Sequence, residues 1–96
     1  MDNILKYNKL FDYYGPLLTE KEQIYFKEYY FENLSLSEIA SNYEVSRNAV
    51  HKLIKSCEMK LEDFENKLGI IKRDEKIKEY LKEIENERVS KILEIM

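Results

Sequence analysis

Ninety-six residues with 16 basic and 19 acidic side chains carry a formal net charge of −3, the wrong sign for a protein that coats nucleic acid indiscriminately. Two glycines and one proline argue against a turn-rich β fold, and a hydrophobic content of 44% suffices for one packed core. A single cysteine excludes an internal disulfide and fits a reducing cytoplasm, and neither a basic-then-apolar leader nor an apolar run of about 18 residues marks a secretion signal or a membrane span.

The first predicted helix covers residues 3–14, with Ile4, Tyr7, Phe11 and Tyr14 on one face and Leu10 widening it. Gly15-Pro16 stops it, because proline has no amide for the ladder and pushes the preceding residue toward extended geometry. Thr19, three residues before Glu22, is a capping box that opens a second helix over about 20–32. That helix carries Ile24, Tyr25, Phe26, Tyr29, Tyr30 and Phe31, apolar on more than one side, as expected of a helix packed between two neighbours. The tyrosines could instead stack bases, although aromatics at helical spacing more often form core.

Residues 35–56, SLSEIASNYEVSRNAVHKLIKS, organise the rest. Ser35 and Glu38 form another capping box, and Leu36, Ile39, Ala40 and Tyr43 share a face. Ser46 stands at an N-cap position, ahead of Val50, Leu53, Ile54 and Cys57 on one face. Only Asn42 to Val45 remain to join the two helices, so they must cross steeply, which predicts a helix-turn-helix over 35–57. The second helix does not end there. Its apolar face continues through Leu61, Phe64 and Leu68 to a stop at Gly69, about 22 residues or about 33 Å, and its far half needs another surface to cover it.

From Ile70 onward, Ile77, Tyr80, Leu81, Ile84, Ile92 and Leu93 recur among balanced charges, an amphipathic helix. Ile77 to Ile84 is a heptad step that Lys91 breaks, so a long two-stranded coiled coil is not specified. An isolated helix is marginal in water, so the stripe must fold back on its predecessor or pair with another subunit, a homodimer being the favoured reading. The expectation is an all-α protein. A helical domain over 1–69 contains the helix-turn-helix, and 70–96 is a C-terminal amphipathic helix for dimerisation or fold-back.

Charge singles out one surface. Arg47, Lys52, Lys55 and Lys60 face Glu58 alone, a local +3 that leaves −6 on the rest of the chain. Arg47, His51 and Lys55 are spaced by four, with Asn48 and Lys52 in a parallel row, all away from the Val50, Leu53, Ile54 face. Amide and guanidinium groups near the helix start suit base edges, lysines farther along suit phosphates, and the free amides after Ser46 make an anion site. The candidate nucleic-acid residues are therefore Ser46, Arg47, Asn48, His51, Lys52 and Lys55. A solvated basic helix surface is the plainer alternative, and few lysines on one chain make a pair of chains important for duplex binding.

Catalysis has little to stand on. His51, the single histidine, has no nucleophile partner at a recognisable spacing, and Cys57 lies on the buried stripe. One histidine and one cysteine six residues apart on a helix do not converge on a metal. The acidic residues are expected on helix exteriors, partnered by lysines one turn away. No glycine-rich phosphate loop exists, so no enzyme, metal or cofactor is expected.

Residues 17–61 resemble the helix-turn-helix of sigma-factor region 4, through LTEKEQ, Tyr29-Tyr30, LSLSEIA, Val45-Ser46-Arg47 and the inward Val50 and Ile54. With the LFDYY…LLT segment ahead and a long terminal helix behind, residues 8–68 resemble the YlxM family of small bacterial helix-turn-helix proteins. That resemblance implies an all-helical, often dimeric, cytoplasmic regulator. It is tied to the signal recognition particle because the family's genes neighbour that of the particle's GTPase. The chain departs from the family pattern at Asn48, where glutamine is usual, and at His51, where tyrosine is usual, so a ligand touching them would differ. The expected function is non-enzymatic regulation by nucleic-acid binding in the signal recognition particle pathway. DNA is favoured over the particle's RNA, because the deep major groove of A-form RNA excludes a helix. The alternative is a protein–protein module that binds the GTPase and keeps the helix-turn-helix as scaffold.

Overall fold

Three hydroxyl caps and three left-handed residues set most of the helix boundaries in the computed structural model, which describes residues 2–95. Met1 and Met96, the outer ends of the two expected ranges, lie outside the described residues. The described chain is five α-helices: α1 (Asp2–Tyr14), α2 (Glu20–Tyr30), α3 (Leu36–Tyr43), α4 (Arg47–Leu68) and α5 (Ile70–Ile95). A 3-10 turn over Gly15–Leu17 joins α1 to α2, with Pro16 in its first turn.

Both predicted capping boxes form. Thr19 Oγ1 accepts from the Glu22 amide at 3.2 Å while Glu22 accepts from the Thr19 amide at 2.9 Å, and Ser35 and Glu38 do the same at 3.0 and 3.2 Å. Two boundaries differ from the periodicity. Helix α2 ends at Tyr30, because Asn33 turns left-handed at φ 61° and the Leu34 amide reaches back to the Glu28 carbonyl at 3.0 Å. Helix α3 runs through Tyr43 and absorbs Asn42 and Tyr43 from the expected turn. Glu44 is left-handed at φ 54°, and the Val45 amide closes on the Ala40 carbonyl at 3.0 Å. Tyr43 is held in the helix by its ring, 4.7 Å from that of Tyr25, and by a hydroxyl that donates to Glu28 at 2.9 Å.

Helix α2 serves two cores at once. In one, Leu10, Phe11 and Tyr14 of α1 meet Leu18, Phe26, Cys57, Leu61 and Ile71, with the Phe11 and Phe26 rings stacked at 4.7 Å. In the other, Tyr25, Ile39, Ala40, Val50 and Ile54 close α3 and α4 on α2. Tyr30 and Leu53 pack against both. The surface that covers the far half of α4 is α1. Ile4 stays 46% exposed, lining a surface hollow with Tyr29, Tyr30 and Leu34.

The joint between α4 and α5 has no linker. Gly69 ends α4 at φ 62°, which a side chain would strain, and α5 starts at the next residue. No Ser or Thr caps α5. The Tyr14 hydroxyl accepts from the Ile70 amide at 3.2 Å, and the Glu65 carboxylate accepts from the Ile71 and Lys72 amides at 3.0 and 3.3 Å. Tyr13 donates to Asp74 and Lys9 to Glu75, both at 2.8 Å, tying the first turns of α5 to α1. Farther out, every described residue from Glu75 to Glu94 is exposed, and the molecule reaches 68 Å in its long dimension against 26 and 20 Å in the others.

Candidate nucleic-acid interface

Helix α4 begins with its positive end bare. Ser46 Oγ accepts from the Ala49 amide at 3.0 Å, and no acidic residue lies in the first turn, whereas α2 starts with Glu20 and Glu22 and α3 with Glu38. Ser46, Arg47, Asn48, His51, Lys52 and Lys55 are all exposed, while Val50 and Ile54 of the same helix are buried at 0 and 2% exposure. The six candidate residues thus come together on the outward side of the second helix of the motif, because its inward side is consumed by the core with α2 and α3.

The basic stretch is not uniform. Among the described residues Arg47 and Lys52 make no ion pair. Lys55 lies 3.3 Å from Glu58, and Lys60 donates to Glu22 at 2.7 Å. The expectation that acidic residues occupy helix exteriors is wrong here: Glu22 and Glu58 are each only 7% exposed. Burial is tolerated because each carboxylate is partnered. Glu58 accepts from the Tyr30 hydroxyl, and Glu22 completes its capping box before meeting Lys60. Burial alone would raise the Glu22 carboxyl, but the Lys60 ammonium and the Thr19 groups outweigh it and hold Glu22 below the usual carboxylate range. The Tyr30 hydroxyl is pushed far up, first by burial and then by its bond to Glu58, so it stays a donor. Lys60, spent on Glu22, belongs to the fold more than to the edge.

A signal for these residues was present. Glu58 falls among Ile54, Cys57 and Leu61 at spacings of four, one and three, so it sits on the apolar stripe, and Glu65 continues that stripe one turn beyond Leu61. An acid on a buried stripe needs a donor across the core, which local spacing cannot name.

Past Lys55 the outward side of α4 becomes a shallow open trough along Ser56, Met59, Glu62, Asp63 and Asn66. Lys60 lines it too, Glu62 pairs with Lys6 and Asp63 with Lys67 at 2.9 Å, so this stretch is charge-balanced, and the cations unpaired among the described residues lie over the first two turns of α4. Cys57 is fully buried with its thiol pushed up to about 12, chiefly by burial, and is no nucleophile. Among the described residues no group of three or more His, Cys, Asp or Glu could hold a metal, and no helix is long and apolar enough to cross a membrane.

A known family with the description "Putative helix-turn-helix protein, YlxM / p13 like" matches residues 1–95 of this chain. The chain is 44% identical over 84 residues to a UPF0122 protein of Halalkalibacterium halodurans, spanning 88% of this chain and 77% of that one. It is 49% identical over 86 residues to a UPF0122 protein of Malacoplasma penetrans, spanning 88 and 80%. It is 39% identical over 104 aligned positions to the UPF0122 protein YlxM of Bacillus subtilis, spanning 100 and 94%.

Proposed function

Since the chain belongs to the YlxM/p13-like helix-turn-helix family, we propose that it is a non-enzymatic regulatory protein that binds a nucleic-acid duplex through the start of α4. The observation that carries this reading is the bare, exposed N-terminal edge of α4, where Arg47 and Lys52 stand without a carboxylate partner among the described residues. In this reading Arg47, Asn48 and His51 meet base edges. Lys52 and Lys55 meet phosphates, and Ser46 with the first free amides of α4 seats one phosphate oxygen. DNA is the preferred duplex, because its major groove admits a helix. One edge offers few cations, so the protein acts as a homodimer that doubles them. The setting attached to the family, regulation within the signal recognition particle pathway in the cytoplasm, is part of the proposal.

The test is a duplex titration at salt between about 50 and 200 mM, with and without Arg47→Ala and Lys52→Ala. The expected result is a steep loss of affinity with salt, and a slope shallower by about 0.9 for each phosphate contact removed. Absence of binding to both DNA and RNA at low salt, with the particle's GTPase retained on the protein, would favour the scaffold alternative instead.

A further inference from the structure

Lys55 differs from the other cations of the α4 edge in what lies beneath it. Among the described residues Arg47 and Lys52 make no ion pair, whereas Lys55 Nζ lies 3.3 Å from Glu58 Oε1, about one turn farther along the same helix. The two partners are unequal. The Lys55 side chain is 61% exposed on a flexible four-carbon stem, and the Glu58 side chain is only 10% exposed. Glu58 cannot follow Lys55 outward. Its other oxygen, Oε2, accepts from the Tyr30 hydroxyl, and Tyr30 packs against both cores. A carboxylate fixed in such a place is screened by salt far less than one in open water.

Lys55 also stands on a ridge between two depressions. On one side is the outward trough of α4, which it lines with His51 and Lys52. On the other is the hollow that holds Glu58, walled by Asn3 and Ile4 of α1, Tyr29 of α2 and the link at Asn33 and Leu34. Its side chain has two places to go: down to Glu58, or out alongside Lys52. Rotation between staggered wells carries the ammonium from one to the other. An ammonium that neutralises a fixed carboxylate offers a phosphate little net charge. One that swings out leaves that carboxylate uncompensated. In both positions Glu58 subtracts from what Lys55 gives the edge.

We infer that Glu58 is a built-in brake on the nucleic-acid edge: it competes with phosphate for Lys55, so Lys55 adds to duplex affinity only to the extent that it leaves Glu58. The brake rests on the reading in which α4 binds a duplex, and it ranks the lysines of that edge. Lys52 is the strong phosphate contact and Lys55 the weak one, although both are exposed on the same side of the helix. The residue that sets this ranking touches no duplex. It acts through the position of Lys55, from inside the fold.

The test is a double-mutant cycle read by duplex titration of the full chain between about 50 and 200 mM salt, using the parent, Glu58→Gln, Lys55→Ala and the double variant. Glutamine removes the charge and keeps an acceptor for Tyr30. Glu58→Gln is expected to bind about three- to tenfold tighter at the low-salt end, with a salt slope steeper by up to about 0.9, the value of one phosphate contact. Lys55→Ala is expected to cost less than about twofold in the parent, yet to abolish the whole gain in the Glu58→Gln background. A gain that survives Lys55→Ala would assign the effect to overall charge and overturn the brake. Tyr30→Phe loosens the carboxylate without discharging it and is expected to give no gain; a gain equal to that of Glu58→Gln would reduce Glu58 to a packing element. One comparison leaves the interior of the fold untouched: Lys52→Ala is expected to cost a full phosphate contact and Lys55→Ala little, and equal costs would overturn the brake. Binding by the parent with Glu58→Gln unchanged would overturn the brake alone and leave the α4 edge standing. Absence of binding by both at the low-salt end would overturn the α4 edge and the brake together.

Discussion

Upstream of Ser56 the outward side of α4 presents Arg47, Lys52 and Lys55 to water, whereas downstream of it Glu58, Glu62 and Glu65 are turned toward other helices. The downstream carboxylates accept from Tyr30, Lys6 and Tyr14, so they bind α4 to α1 and α2, and Glu65 also caps α5. The upstream half has spent its inner face on α2 and α3; among the described residues its outer Arg47 and Lys52 are unpaired, while Lys55 lies 3.3 Å from Glu58. One helix thus turns Glu58, Glu62 and Glu65 toward its neighbours and leaves Arg47 and Lys52 facing water. The difference is set by what lies opposite each half, and not by composition.

The largest effect expected from breaking the downstream half is on its core. Phe26→Ala removes a fully buried ring stacked on Phe11 and should cost about 3–5 kcal/mol in denaturant unfolding, with helix content falling cooperatively. A loss under about 1 kcal/mol would mean that α1 grips α4 without it. Next comes the buried polar contact. Glu58→Ala leaves the Tyr30 hydroxyl without its acceptor and should cost about 1–3 kcal/mol. Adding Tyr30→Phe should restore part of that loss, and a double-mutant cycle reads the difference.

Acid titration sharpens the same contrast with a smaller effect. Glu22 and Glu65 are both held below the usual carboxylate range, Glu65 because the Tyr14 hydroxyl and the α5 amides outweigh its burial. Each contributes stability that is fully present above the ordinary carboxylate value and is lost as pH falls through the depressed folded-state value. Unfolding free energy should therefore decline as acid is added through that window, and Glu22→Gln should flatten the decline. An unchanged profile in that variant would place the acid sensitivity elsewhere. Smallest of all on stability is the upstream edge: Arg47→Ala with Lys52→Ala should shift unfolding by no more than about 0.5 kcal/mol, because neither cation has an ion-pair partner among the described residues. A larger shift would show that these side chains serve structure after all.

Much of the fold was legible from short-range signals. The capping boxes at Thr19 and Ser35, the Ser46 cap, the Gly15-Pro16 break and the Gly69 stop each act within about one turn, and all appear where the residue pattern places them. The outward placement of Arg47, Asn48, His51, Lys52 and Lys55 followed from the same periodicity, since burying Val50 and Ile54 leaves those positions facing water. The length of the turn was misjudged by two residues, because the Tyr43 ring is anchored by Tyr25, 18 positions away.

What only the tertiary structure decided is which charges the fold consumes. Lys60 looked like part of the basic edge until Glu22, 38 positions earlier, was found beneath it. The cap of α5 comes from Glu65 together with Tyr14, and the Tyr14 bonds span 51 and 56 positions of chain. Helix starts, stops and apolar faces depend on neighbours within four residues, so they can be read from order along the chain. The state of a carboxylate or an ammonium depends on whichever group packing brings within about 3 Å of it, and that is settled only once the helices have closed on one another.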